Sequence, residues 1–297
     1  MMVAVRKKIT IPDIIITLLM TVVLIITIYP FVQVIAISFN DATDTVRGGI
    51  HLWPRKFTLN NYKEIFSSNT KIVTGFMVSV ARTVIGTLIG IICTAMLAYT
   101  ISRKDYMFRK PITILFVITM YVSGGMIPEY MVIKGLGLIG HFSVYIWPMI
   151  LSGFNIIVLR SFIDNLPYEL QESAKIDGAN DFTIFYKIIF PLCLPVIATV
   201  ALFLAVGQWN SWFDTYLYCR SNDSLTTLQY ELMKVIDNAS AGIKAADINS
   251  QGIKQVTSNP ESIKMAITVV TTIPIVCVYP FLQRYFVSGM TIGAVKS

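Results

Sequence analysis

Charged and uncharged segments alternate along the whole chain. Six runs contain no Asp, Glu, Lys or Arg: Ile14–Ile37, Thr83–Ser102, Pro111–Pro128, Gly135–Leu159, Ile188–Phe213 and Met265–Gln283. Each is close to the roughly 20 residues that a helix needs, at about 1.5 Å per residue, to cross about 30 Å of hydrocarbon. The pattern predicts an all-α polytopic membrane protein with six transmembrane helices. Its segments are a tail over 1–13, a first span over 14–37, a loop over 38–71, a transmembrane domain over 72–290 and a tail over 288–297. Within that domain, spans are expected at 72–102, 111–133, 142–163, 188–213 and 263–287, with a loop at 164–187 on one face and one at 214–262 on the other.

Composition agrees with the pattern. Of 297 residues, 55% are hydrophobic and 14% charged, and the mean hydropathy is +0.66. Soluble domains carry about 25% charged residues, so a soluble enzyme, a nucleic-acid binder and a disulfide-stapled secreted domain are all excluded. The formal charge of +7 reads as basic residues gathered on the cytoplasmic side rather than as a nucleic-acid partner. Cys93, Cys193 and Cys277 lie within the uncharged runs as small hydrophobes, and Cys219 stands apart, so no disulfide framework is expected. The basic Arg6-Lys7-Lys8 before an apolar run resembles a signal peptide. That run is too long and lacks a small-residue cleavage pattern, so it is expected to stay as the first helix.

Basic residues set the orientation. Three precede Ile14, and four lie in the short connection Arg103–Lys110. Both segments belong in the cytoplasm, and the two crossings between them agree. The expected location is a cell membrane, crossed several times, with both termini cytoplasmic. Arg82 and Glu129 fall near span ends, where long side chains snorkel to the interface. Gly86, Gly90, Thr94 and Ala98, four residues apart, form a small-residue stripe for close helix packing. Pro30, Pro148, Pro274 and Gly124-Gly125 interrupt regular helix, as is tolerated where protein or a water-filled cavity satisfies the freed backbone.

The loop at 164–187 breaks the charge rule. From Arg160 to Lys187 there are three basic residues against five acidic ones, Asp164, Glu169, Glu172, Asp177 and Asp181. Pro167 suits a first helical turn, acidic residues follow it, and Gly178 suits a left-handed C-terminal cap. Asp181 is expected to N-cap a second helix that runs on into the fifth span. An acidic helix is repelled by an anionic leaflet, so this knuckle calls for a protein partner.

Glu172-Ser173-Ala174, then Gly178, then Ile188-Ile189-Phe190-Pro191 resembles the EAA signature of membrane permease subunits of bacterial ABC importers. Ser173 stands where the signature has Ala, and Phe190 where it has Leu. The string Ile176-Asp177-Gly178-Ala179 is similar to the MalG-like carbohydrate-uptake branch. Ser123-Gly124-Gly125-Met126-Ile127-Pro128, Leu159-Arg160-Ser161-Phe162, Pro260–Ala266 and Gly293-Ala294-Val295-Lys296 resemble its LplC-like subgroup. The resemblance implies a type I ABC importer permease fold whose coupling helix seats in a cytoplasmic ATPase. The coupling residues would be Glu169, Glu172, Ser173, Ala174, Asp177, Gly178, Ala179 and Asp181, none of them catalytic. The implied partners are a second homologous permease (a heterodimer), two ABC ATPase subunits, an extracytoplasmic solute-binding protein, a saccharide and membrane lipid. The chain has no phosphate-binding loop, so ATP and magnesium would be held by the ATPase subunits, with no cofactor and no metal in this chain.

Polar and aromatic residues within spans are candidates for the saccharide pathway: Tyr121, Ser123, Asn155, Gln208, Trp209, Asn210 and Trp212. An aromatic belt or helix–helix hydrogen bonding would explain the same residue types. The segment around 225–259, rich in small polar residues, reads as a mobile loop. By the resemblance it would meet the binding protein through Asn238, Gly242, Asn249 and Gly252. His51 and His141 are isolated and structural. An ion-driven secondary carrier is the alternative, but it calls for intramembrane acidic residues and inverted repeats, and neither stands out. A membrane-embedded enzyme would need convergent ionisable groups at membrane depth.

Overall fold

The computed structural model describes residues 11–68, 70–246 and 260–294. The basic tail residues Arg6, Lys7 and Lys8, and the candidates Asn249 and Gly252, lie outside the described residues. The helices are α1 (Ile11–Ser38), α2 (Ala42–Thr45), α3 (Asn60–Ser68), α4 (Thr70–Ser102), α5 (Arg109–Tyr121) and α6 (Met126–Gly135). After two short 3₁₀ turns, Phe142–Tyr145 and Trp147–Met149, come α7 (Gly153–Asp164), α8 (Glu169–Ile176), α9 (Asp181–Leu192) and α10 (Leu194–Asn210). The chain continues through α11 (Phe213–Tyr218), α12 (Leu228–Ala246) and α13 (Pro260–Ala294).

Among the described residues, three helices are long and apolar enough to cross a bilayer: Ile11–Ser38, Lys71–Ser102 and Glu261–Val278. Two more candidates are bent pairs, Phe142–Met149 with Gly153–Asp164 at 49° and Asp181–Leu192 with Leu194–Asn210 at 82°. Proline chemistry accounts for the sharper bend. Pro195 has no N–H to close on Pro191, and its ring crowds the preceding turn. Hence the expected smooth run from Asp181 into the fifth span is replaced by a corner. The third uncharged run is likewise split into α5 and α6. Gly125 sits at φ +85°, and its N–H is held by Ser123 Oγ at 3.2 Å.

The chain divides into two compact units, Met1–Asn69 with Lys234–Thr272 and Thr70–Met233 with Ile273–Ser297. In the first, α1 is exposed from Ile11 to Phe31 and buried at Ala36–Ser38. Its loop closes through a bridge between Asn40 and Phe57, and Asn61 donates to the carbonyls of Ser38 and Asn40 at 2.9 Å each. A cluster of Ala36, Ile37 and Ile50 packs with Met265. The expected mobile loop around 225–259 is in part regular: Asn238 and Gly242 belong to α12. The alanines at 239, 241, 245 and 246 are strong helix formers and outweigh the single glycine.

The second unit is organised on α4. Its small-residue stripe does what was expected of it. A Cβ at Gly86 would lie 2.7 Å from Gln208 Nε2, and one at Gly90 would lie 3.1 Å from Leu204 Cδ1, both on α10. At one end of α4, Ala95, Ala98 and Tyr99 pack with Leu159, Ile163, Ala174, Ile184 and Ile189. A separate cluster joins Ile133, Val144, Tyr145, Ile146, Tyr218 and Cys219.

Gly153 lets α7 start directly against α5, because a Cβ there would sit 2.8 Å from the Phe116 carbonyl oxygen and 2.9 Å from Met120 Cγ. Gly153→Ala should therefore destabilise the chain by about 1–3 kcal/mol, the usual cost of overpacking. Thermal unfolding of the purified protein would show this as a lowered Tm. Gly135→Ala, which meets open space, should leave Tm unchanged. Equal Tm values for the two variants would contradict the close approach.

Candidate functional site

The acidic loop forms a rooted knuckle. After α7, Pro167 and Tyr168 turn the chain into α8. Gln171 and Ala174 face inward, and Ala174 joins the cluster with Ala98, Tyr99, Ile163 and Ile184. The helix ends as the glycine implied. Ala179 N–H bonds to Ala174 O at 2.9 Å and Gly178 N–H to Lys175 O at 3.0 Å, with Gly178 at φ +81°. These are the two bonds of a Schellman cap. No atom lies within 4 Å of a Cβ placed on Gly178, so the requirement there is conformational. Asn180, rather than Asp181, caps the next helix, its Oδ1 accepting from Thr183 N at 2.8 Å. The outer surface of the knuckle combines Glu169, Glu172, Ser173 and Asp177 with apolar Ile176 and Phe182, exposed to 87% and 65%.

Asp181 is free of capping because Arg103 holds it. Arg103 Nη1 lies 2.7 Å from Asp181 Oδ1 and 2.9 Å from the Tyr99 hydroxyl. The rest of the guanidinium makes a two-pronged contact with Asp105, Nε to Oδ1 at 3.0 Å and Nη2 to Oδ2 at 2.7 Å. Lys175 on α8 donates to Asp105 at 3.3 Å, and Lys104 lies 5.0 Å from the centre of the Tyr168 ring. The knuckle is thereby tied at both ends to the turn after α4. The Arg103 hydrogen bonds hold the Asp105 carboxyl well below the usual carboxylate range, with Lys175 adding to the effect and burial opposing it.

A second polar cluster forms around Arg82. Its side chain has no exposed surface. Nη1 and Nη2 grip Asp214 at 3.1 and 2.5 Å, and Nε donates to Gln208 Oε1 at 3.0 Å. Nη1 also lies 3.4 Å from Ser211 O, and the guanidinium carbon sits 4.4 Å over the Tyr145 ring. Gln208 passes the contact on, donating to Tyr145 O at 3.1 Å, and the Tyr145 hydroxyl donates to Leu225 O at 2.6 Å. The expectation that Arg82 snorkels is corrected: α10 packs so closely on α4 that Gln208 at its end, Ser211 and Asp214 just beyond it and the Tyr145 ring supply the partners. The signal was present in the sequence. Arg82 directly precedes one uncharged run and Asp214 directly follows another, with opposite charges.

The pathway candidates scatter. Asn155 and Gln208, both buried, line one cavity of about 730 Å³ together with Thr119, Met149, Ser152 and Phe203. The Asn155 carboxamide makes no hydrogen bond to another described residue. Trp209 is buried edge-on to Phe76, and Trp212 packs edge-on to Phe213 and tilted against Tyr216. Asn210 is exposed and accepts from Gln229 Nε2 at 3.3 Å. Tyr121 is 83% exposed, and Ser123 is spent on the turn before α6.

Comparison with known proteins gives one consistent family. The family described as binding-protein-dependent transport system inner membrane component matches residues 111–292. The polygalacturonan/rhamnogalacturonan transport system permease protein YtcP of Bacillus subtilis is 42% identical over 92% of this chain and 93% of its own. Protein LplC of the same organism is 39% identical over 91% and 90%. Among solved structures, a bacterial ABC transporter involved in the import of the acidic polysaccharide alginate superposes with a TM-score of 0.82 at 25% identity. The match covers 94% of this chain and 99% of that one.

Two outcomes follow from the charge clusters. Arg82→Met leaves Asp214 without its cation and should cost about 3–5 kcal/mol, whereas Arg82→Met with Asp214→Leu should recover most of that loss. Thermal unfolding of the two variants tests this, and equal destabilisation would contradict a pair buried for mutual satisfaction. Asp105 has a depressed folded value, so its stabilisation is complete above the ordinary carboxylate range and fades as pH falls through and below it. The stability gap between Asp105→Asn and the parent should therefore be widest at neutral pH and shrink below about pH 4. A gap independent of pH would contradict the ionic contact.

Proposed function

The chain belongs to the family of binding-protein-dependent transport system inner membrane components, as a non-catalytic ABC transporter permease subunit, and from that premise we propose that it forms half of a pathway importing oligo- or polysaccharides. The cargo reading rests on the relatives: polygalacturonan and rhamnogalacturonan for YtcP, and alginate for the structural neighbour. The assembly we infer pairs this chain with a second homologous permease, two cytoplasmic ATPase subunits and an extracytoplasmic solute-binding protein. In this reading the chain crosses the membrane six times with both termini inside, and the interrupted runs at 111–133, 142–163 and 188–213 each count as one crossing. Asn238 and Gly242 on α12 and the neighbouring Asn249 and Gly252 would face the binding protein.

The observation that carries the reading is the rooted knuckle. Glu169, Glu172, Ser173, Asp177 and Gly178 lie on a protrusion whose inner side, through Ala174, is part of the packed interior. A push on such a protrusion is not absorbed by a floppy loop. It passes to α7 and α9 through packing, and to the end of α4 through Arg103 and Lys175. Nucleotide bound by the ATPase pair would shift the permease between outward-facing and inward-facing states by its differential affinity for them. Ala179 and Asp181 serve the cap and its ionic tie rather than the partner surface. Along the pathway, the Asn155 carboxamide would offer an uncharged hydrogen-bonding group beside Phe203, the combination that sugar hydroxyls and sugar faces require, while Gln208 is held by Arg82 and the Tyr145 carbonyl.

Substituting Gly178 tests the coupling. An L-residue in the left-handed conformation is strained by about 1–2 kcal/mol, so Gly178→Leu distorts the cap while leaving the spans intact. The reconstituted complex should keep its subunits and hydrolyse ATP, but its uptake per ATP should fall several-fold. Normal coupled uptake by this variant would overturn the docking role, and transport by the purified chain without any ATPase would overturn the importer reading.

A further inference from the structure

We propose that the cleft at the N-terminal end of α5 binds the headgroup of an anionic phospholipid. The cleft, about 480 Å³, is lined by Lys104, Arg109, Lys110 and Arg160, with Asp105 as the acidic group among its lining residues. Asp105 does not neutralise these cations, because it is already gripped by Arg103 and Lys175. Arg109 and Arg160 share a single carboxylate, Asp164, at 3.7 and 3.4 Å. Arg160 Nε, buried and 3.4 Å from Asp164 Oδ2, makes that ion pair without hydrogen-bond geometry, while Arg160 Nη1 donates to the Thr113 hydroxyl at 2.5 Å. Lys104 is placed by its contact with the Tyr168 ring, and both lysines are exposed. Four cations therefore face one space with less than matching negative charge, the electrostatic demand that a phosphate answers.

The surroundings choose lipid as the source of that phosphate. The mouth of the cleft is flanked by Met107 and Phe108, 80% and 52% exposed, and α5 continues from it with Ile114, Leu115 and Ile118 exposed to 58%, 58% and 52%. A cationic pocket opening onto an uncovered apolar helix at the start of an uncharged run matches both halves of a phospholipid. Basic pockets between transmembrane helices take such headgroups. Its lining residues reach both sides of Pro167, where the chain enters α8: Arg109 and Arg160 pair with Asp164, and Lys104 lies over the Tyr168 ring, so a bound lipid would brace the root of the knuckle. The inference does not depend on the cargo or on coupling, and it is read by a binding measurement alone.

The test is lipid retention by the full chain, purified and reconstituted in bilayers of phosphatidylcholine with phosphatidylglycerol, then released and weighed by native mass spectrometry. The chain should retain phosphatidylglycerol in preference to phosphatidylcholine, and added salt should weaken that preference. Lys104→Gln with Lys110→Gln should lower retention several-fold. Arg109→Gln provides a second variant, and each variant's Tm should be checked against the parent. Equal retention of the two lipids, or retention unchanged in both variants, would overturn the proposal. Displacement of the lipid by an equal concentration of inorganic phosphate would do so as well, and so would lysine labelling blocked by an ATPase partner but not by phosphatidylglycerol.

Discussion

An arginine with no exposed surface in a chain of apolar helices is permitted only if other parts of the chain surround it. Arg82 meets that condition with a carboxylate, a carboxamide, a backbone carbonyl and an aromatic face, drawn from Asp214, Gln208, Ser211 and Tyr145. Those partners lie more than 60 residues further along the chain, so satisfying one guanidinium specifies how α4, α10 and the turn at Tyr145 come together. It also explains why α10 stops where it does. Ser211 and Trp212 leave the helix, and the chain turns so that Asp214 can reach back. Leaving the charge unpaired in such a setting would cost several kcal/mol, more than any single packing contact along the seam supplies.

Arg103, just past the C-terminal end of α4, repeats the device. The two arginines are 21 residues apart, about 30 Å along a helix, and each ties its stretch of the chain to a carboxylate far away in sequence, Asp214 for one and Asp181 for the other. Between them, Gly86 and Gly90 keep α10 so close that the helices cannot slide without displacing Leu204 and Gln208. In membranes, helix association relies on close approach and polar contacts because lipid is as apolar as leucine. A helix pinned at an interior point and at one end, and interlocked between them, is a stiff link, and the acidic knuckle is fastened to the pinned end.

Much of this was legible in the sequence. The uncharged runs located the apolar helices, the small-residue stripe marked the α4 seam, and Gly178 in an acidic segment announced its left-handed cap. What was hidden depended on distance in the chain. Arg82 looked like an interfacial residue because nothing local reveals that Asp214 lies beside it. The cap fell to Asn180 because Arg103, 78 residues from Asp181, claims that carboxylate. The breaks at Pro148 and Gly124-Gly125 were marked by those residues, whereas the corner at Pro195 was not, because periodicity sees its uncharged run as one span. Small polar residues around Asn238 suggested a loop, yet the alanines beside them sustain a helix.

The central claim, that the α8 knuckle is where a partner ATPase delivers mechanical work, is tested most directly by proximity. A photo-crosslinker attached at Ser173→Cys, in a variant lacking the four native cysteines and assembled with its ATPase in membranes, should yield an adduct with that subunit whose amount changes when nucleotide is added. The same reagent at exposed Thr43 should give none. Adduct formation at Thr43 but not at position 173, or labelling of position 173 by a reagent confined to the exterior, would contradict it.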